Sequence, residues 1–271
     1  MNDQTYLTKI LARKRERLAS ERGGFALEEL RDEASAFRSG FPNHRLRAAL
    51  QNTNQTNIIA EFKRVSPSKG DIRPDAQPEI VSQSYLDGGA AAISVLTEND
   101  FFGGSLIDLQ TIVAATDNKI PVLCKDFIIE ESQVYHAALA GASAVLLIVA
   151  AFGENQQLVE LRRTIEDELG MDALVEVHTA EEMLRAAKVG ARIIGVNNRS
   201  LQTFEVSLET SVELSRLAPP NAILVSESGF SIRVEIERLE QNGFHGFLIG
   251  ETLMRSDDPA TKLRELTGQV L

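Results

Sequence analysis

One cysteine among 271 residues, Cys124, cannot form an internal disulfide. Its isolation favours a reducing compartment and a cytoplasmic protein. No apolar run is long enough for a membrane helix, and the longest, residues 142–152, suits a buried strand instead. The opening MNDQTYLTKILARKRERLAS lacks the apolar centre of a signal peptide. Positive charge is also short. Twenty-eight Lys and Arg against 39 Asp and Glu leave a net charge of −11, which argues against a broad nucleic-acid or anionic-membrane surface while leaving room for a small anion site. The histidines, His44, His136, His178 and His245, have no metal-ligand spacing. No GxGxxG turn follows the first predicted strand, and Ser228 has no histidine partner at a recognisable spacing. Neither metal nor cofactor is expected.

What the chain does have is a repeat. Gly89, Gly141, Gly190 and Gly243 each follow a helical pattern and precede an apolar run, at spacings of 52, 49 and 53 residues. A glycine just past a helix takes the left-handed conformation that ends it. Further apolar runs lie between these, at 58–62, 120–124, 173–177 and 222–226, with helical patterns in the gaps. Eight strands alternating with helices in one domain predict a closed parallel (β/α)8 barrel over residues 51–271. Residues 1–50 stand outside the repeat and are expected to form a helical extension packed on the barrel. There Leu7, Ile10, Leu11 and Leu18 make an apolar stripe. Lys9, Arg13, Lys14, Arg15, Arg17 and Arg22 are accordingly expected on a solvated face.

In this architecture, chemistry sits at the C-terminal ends of the strands. Period-two alternation puts Ile59, Glu61 and Lys63 on one face and Ala60, Phe62 and Arg64 on the other. A Glu and a Lys facing an interior carry a desolvation cost unless they pair or serve a purpose. The third strand ends in Lys125, the fifth in Glu176 followed by His178, and the sixth in Asn197. Lys63, Lys125 and Glu176 all belong to odd strands, so they are expected to converge in one layer at the mouth, where they can supply acids, a base and an anion clamp. His178 is expected merely to begin the next helix. The segments Ser-Glu-Ser-Gly, with Ser228 and Gly229, and Ile-Gly-Glu-Thr, with Gly250 and Glu251, occupy loops that often bind phosphate. A short helix from about Glu251 would add its positive end.

These residues, carried by IIAEFKRVSPSKG, PVLCKDFII, LVEVHT, IIGVNNRSLQTFEV, LVSESGF and LIGETLMRSDDP, resemble the indole-3-glycerol-phosphate synthase family of tryptophan biosynthesis. The resemblance covers about residues 58–259, and the N-terminal helices resemble the family's extension. It implies a carboxy-lyase that closes the indole ring of 1-(2-carboxyphenylamino)-1-deoxyribulose 5-phosphate with loss of carbon dioxide and water. Lys125 matches the family's acid for ring closure, and Glu176 the carboxylate that moves protons later. Lys63 matches a lysine that holds the substrate carboxylate or serves as the dehydration acid. Glu61 matches the residue that positions the lysines, and Asn197 a hydrogen-bonding partner of the substrate. Ser66, Phe127 and Arg199 match site-lining positions. Ser228, Gly229, Gly250 and Glu251 match the phosphate loops, although Glu251 differs from members with a small residue there.

The resemblance implies a phosphorylated small molecule as the partner, with no nucleic acid and no membrane, and a monomer or weak homo-oligomer. A phosphoribosylanthranilate isomerase would resemble a cysteine base on the first strand and an aspartate acid on the sixth. This chain has Glu61 and Lys63, and Asn197, at those places. A non-catalytic phosphate-binding scaffold would have no use for Lys63, Lys125 and Glu176 together.

Overall fold

A computed structural model describes residues 5–21 and 26–269. Arg22 lies outside the described residues. Eight parallel strands close into a barrel. In chain order they are β1 (Ile58–Phe62), β4 (Ala92–Leu96), β5 (Val122–Lys125), β6 (Ala144–Ile148), β7 (Asp172–Val177), β8 (Ile193–Asn197), β9 (Ile223–Glu227) and β10 (Gly246–Ile249). β10 pairs with β1, Phe247 opposite Ile58, and so removes both sheet edges. The labels β2 (Val65–Ser66) and β3 (Gly70–Asp71) belong to a small antiparallel hairpin in the loop after β1, which the sequence pattern did not signal.

The four repeat glycines adopt left-handed φ angles of 79°, 91°, 73° and 85°. They end their helices as the spacing predicts. The third barrel strand begins two residues later than expected, at Val122 rather than Ile120, because Pro121 has no N–H to give to a ladder.

Alternation along the strands builds two cores. Ile58, Ala60 and Phe62 pack outward beneath the helices. Ile59, Leu123, Leu146, Leu174 and Leu248 fill the interior. Among the described residues, three helices precede β1: α1 (Tyr6–Glu21), α2 (Leu27–Arg38) and α3 (Arg45–Leu50). Leu46 and Leu50 of α3 are fully buried in the interior cluster, each contributing roughly 1.5–3 kcal/mol. Next to them the Arg47 guanidinium pairs with buried Asp172 at 3.0 Å. Leu30 and Ala34 of α2 join the outer core, packing toward α6 (Glu131–Leu139).

The stripe of α1 behaves as its pattern predicts, since Leu7, Ile10 and Leu11 are buried with Phe127 and Ile148. Lys14 does not. Its side chain is buried, with the ammonium 2.7 Å from Asp126 and 3.8 Å from Glu98. The stripe pattern assigned it to solvent because it treats every charge on a helix alike. Tertiary pairing to the loops after β4 and β5 overrides that. Lys9, Arg13 and Arg15 are exposed.

Candidate functional site

The mouth of the barrel opens into a cavity of about 810 Å3. Its polar floor is one layer of side chains contributed by alternate strands. Glu61 comes from the first barrel strand, Lys125 from the third, Glu176 from the fifth and Glu227 from the seventh. Lys125 Nζ stands 3.4 Å from Glu176 Oε2 and 3.3 Å from Glu227 Oε2. Lys63 falls one residue past the end of β1 and sits at the rim rather than in this layer, where its ammonium pairs with the Glu61 carboxylate. The expected convergence of Lys63, Lys125 and Glu176 is therefore corrected in one member. Glu61 takes the first strand's place, because Lys63 lies beyond the last laddered residue.

The electrostatics follow from burial and neighbours. Burial works against the Lys125 ammonium, but Glu227, Glu176 and Glu61 outweigh it and push Lys125 well above the ordinary lysine value. Burial also works against ionised Glu176. Lys125, His178 and Asn197 outweigh it and hold Glu176 below the usual carboxylate range. Glu227 goes the other way. Burial raises it to about 8, with Lys125 offsetting only part of the effect and Glu176 adding to it. The cation set against Glu227 is Lys125, 3.3 Å from Oε2.

Glu227 was not singled out from the sequence, where it was overshadowed by the Ser228-Gly229 turn that follows it. A signal was present: Ile223, Val225 and Glu227 share the inward face by the same alternation that places Glu61. His178 was also underestimated. It precedes α8 (Ala180–Lys188), as expected for a helix entry, but its ring is buried. Nε2 lies 3.2 Å from Glu176 Oε1, and Nδ1 bonds to Glu182 Oε2 at 3.4 Å.

Ser66, Phe127, Asn197 and Arg199 all line the cavity. The apolar part of its wall includes Leu7, Ile10, Phe102, Phe127 and Ile148. Arg199 Nη1 donates to the Phe204 carbonyl at 3.2 Å. Asn197 Oδ1 accepts from Ser228 Oγ and from Arg199 N, both at 3.0 Å.

Ser228, Gly229 and Glu251 line the same cavity. Ser228 and Gly229 have φ angles of 69° and 98°, a left-handed pair that turns the chain back at the end of β9. For a serine this conformation costs on the order of 1 kcal/mol or more. Asn198 compensates, its Nδ2 donating to the Ser228 carbonyl at 3.0 Å and to Ser226 Oγ at 2.9 Å. Gly250 caps a short helix, α11 (Glu251–Met254). Arg255, not anticipated, lines this end of the cavity and pairs with Glu251 at 3.1 Å.

Sequence comparison agrees with the geometry. The family described as "Indole-3-glycerol phosphate synthase" matches residues 7–266. An indole-3-glycerol phosphate synthase of Lachnoclostridium phytofermentans is 50% identical over 210 residues, covering 78% of this chain and 76% of that protein. One from Bacteroides thetaiotaomicron is 43% identical over 265 residues, covering 95% and 96%. Among solved structures, a 3-hexulose-6-phosphate synthase superposes with a TM-score of 0.63 at 12% identity, over 80% of this chain and 100% of that one. A thiamine phosphate pyrophosphorylase from Pyrococcus furiosus gives 0.57 at 19%, over 78% and 93%. At such identities these two speak for the barrel alone. With an ionisable layer at the barrel mouth and a family match along nearly the whole length, the chain belongs to the indole-3-glycerol phosphate synthase family, carboxy-lyases of tryptophan biosynthesis.

Proposed function

We propose that the cavity closes the indole ring of 1-(2-carboxyphenylamino)-1-deoxyribulose 5-phosphate, with Lys125 as the acid. The observation that carries this reading is a lysine held between two buried carboxylates on the floor of the cavity. In ring closure, a carbon of the aromatic ring bonds to the ketone carbon, and the ketone oxygen takes a proton. Lys125 is a buried ammonium with a proton to donate there. The aromatic carboxylate then leaves as carbon dioxide, which restores the ring. The new hydroxyl leaves as water, and a proton is lost from the neighbouring carbon. Glu176, held ionised, is the base suited to that step.

Lys63 is placed to hold the substrate carboxylate or to supply the dehydration proton, and Glu61 to fix its position. Asn197 and Arg199 offer polar contacts, and Ser66 lines the same rim. Phe127 and the apolar wall accommodate the aromatic ring. Ser228, Gly229, Gly250 and Glu251 are the proposed phosphate end, acting chiefly through backbone N–H groups and the start of α11. Arg255 is added to that end.

The N-terminal helix α1 acts as a cap, since Tyr6, Leu7 and Ile10 line the cavity. The working protein is a cytoplasmic monomer or weak homo-oligomer that binds a phosphorylated small molecule and neither nucleic acid nor membrane. The negative net charge supports the absence of a nucleic-acid or membrane surface, and the buried, unbridged Cys124 supports a reducing compartment. None of the described helices is long and apolar enough to cross a membrane.

The test is direct. The purified chain is given the carboxyphenylamino substrate and indoleglycerol phosphate is followed by its indole absorbance. A parallel reaction uses the dephosphorylated substrate. Indole formation with a strongly raised Michaelis constant for the dephosphorylated compound supports both the reaction and the phosphate end. No indole product from the folded chain refutes the reaction.

A further inference from the structure

Lys125 is nearly equidistant from two carboxylates, both almost inaccessible to solvent. One ammonium cannot balance two buried anions, so one of the pair holds a proton at neutral pH. Distance to Lys125 does not decide which. The surroundings of the two differ: Asn197 bonds to Glu176 and not to Glu227, and a second cation stands beside Glu176 alone. Behind Glu176, on the side away from Lys125, stands the His178 ring, Nε2 to Oε1 at 3.2 Å. Glu227 has no such second cation beside it: the positive group set against it is the shared Lys125 ammonium, 3.3 Å from Oε2.

The ring itself is fixed from its other edge. Glu182, on the first turn of α8, accepts from both the His178 backbone N–H, at 2.7 Å, and Nδ1, at 3.4 Å. A neutral imidazole would aim a lone pair at one of the two carboxylates. The imidazolium is the form that sets positive charge against both, through a 3.2 Å charge contact at Nε2 and the Glu182 bond at Nδ1. We propose that His178, clamped by Glu182, is a positioning residue that assigns the proton of the carboxylate pair to Glu227 and leaves Glu176 free to act as the base. The inference rests on the base reading of Glu176 given above.

The charges close. Lys125 and His178 are positive, Glu176 and Glu182 negative, and Glu227 neutral. The remaining charged group near Lys125 is Glu61, already paired with Lys63. On the outer side, His178 and Glu182 line a second cavity of about 540 Å3, with Arg199 and Glu205 its other charged residues. His178 is raised to about 10, burial opposing the charge while Glu176 and Glu182 more than restore it. The imidazolium therefore persists through the neutral range.

The test uses His178→Asn, which removes the charge and keeps a small polar group, and Glu182→Gln, which weakens the clamp. His178→Asn is expected to lower kcat by on the order of tenfold or more, short of the 10²–10⁴ lost with a base itself, with little change in KM. The acid limb of its kcat–pH profile moves to higher pH, because Glu176 no longer stays ionised. In Glu182→Gln the alkaline limb moves to lower pH.

A second readout does not depend on activity. Carboxyl 13C NMR of glutamate-labelled protein, assigned with Glu176→Gln and Glu227→Gln, gives the charge of each carboxylate. The expected wild type has Glu176 ionised and Glu227 protonated at pH 7, and in His178→Asn that difference shrinks. Carboxyl titrations unchanged by His178→Asn would overturn the assignment, as would a lower kcat with an unshifted pH profile. Should Glu176→Gln retain full turnover, the base reading fails by itself, and the NMR result still decides what His178 does.

Discussion

Replacing Lys125 by Met keeps most of the side chain's length and removes its charge. Two separable losses are expected. The first is in rate. Loss of a general acid typically costs 10²–10⁴, about 2.7–5.5 kcal/mol on the barrier. The second is in stability. Removing one partner of a buried ion pair costs about 3–5 kcal/mol when the other is left alone. Glu176 is not left alone, because His178 stays 3.2 Å away, and Glu227 is already protonated near neutrality. The loss should thus lie near 3 kcal/mol, or about 6–12 °C in Tm for a chain of this size.

The two losses have different pH signatures. Without the ammonium, Glu176 takes up a proton more readily in the folded state than it does beside Lys125. Its carboxylate then ceases to contribute stability above the unfolded value and becomes a cost as pH rises. The Tm deficit should accordingly be larger at pH 8 than at pH 5. Steady-state kinetics on the folded variant and melts at both pH values provide the check. A kcat within a few-fold of wild type removes Lys125 from the acid role. A Tm deficit that is the same at pH 5 and pH 8 refutes the account of the ion pairs.

Three further outcomes are expected. Glu176→Gln should lower kcat far more than it raises KM, since the amide keeps the shape but cannot accept a proton; weaker binding with unchanged kcat would reduce Glu176 to a substrate contact. Lys14→Met leaves Asp126 and Glu98 without their buried cation, so Tm should fall by an amount consistent with roughly 3–5 kcal/mol and KM should rise as α1 loosens; an unchanged melt and KM would show that α1 is held without it. Wild-type stability should decline as pH rises from about 6.5 to 8, where Glu227 and His178, both raised above their unfolded values, lose protons more readily from the unfolded chain. That slope is at most about 1.4 kcal/mol per pH unit for each group, and Glu227→Gln should flatten its share.

The barrel was legible because its signals are local. A glycine that ends a helix and an apolar run that fills a strand need no knowledge of distant partners. Alternation likewise separated Glu61 from Phe62, and it placed Lys125 and Glu176 at the mouth. What escaped depends on residues far apart in the chain. Lys14 belongs to a stripe-bearing helix, and nothing beside it announces Asp126 as its partner. His178 precedes a helix, where a histidine is commonly exposed, and only the packing of α8 turns its ring to Glu176. Glu227 obeys the local rule, but its part in the layer depends on Lys125, 102 residues away in the chain and 3.3 Å away in space.

The same layer gives Gly250 a reason other than phosphate, and it accounts for Gly195 as well. A Cβ at Gly250 would collide with the Glu61 carboxylate, and one at Gly195 with that of Glu227. Both glycines belong to even strands or their ends, while the acids belong to odd ones. A closed barrel packs its interior in layers from alternate strands, normally with branched apolar residues above and below. Long ionisable side chains at the mouth need space from the intervening strands, and absent side chains on the sixth and eighth provide it. Gly250 therefore has a duty that does not depend on phosphate, so loss of activity on substituting it would not by itself locate the phosphate end. The comparison of phosphorylated with dephosphorylated substrate on the unaltered chain separates the two, because it leaves the Glu61–Lys63 pair and the whole layer untouched.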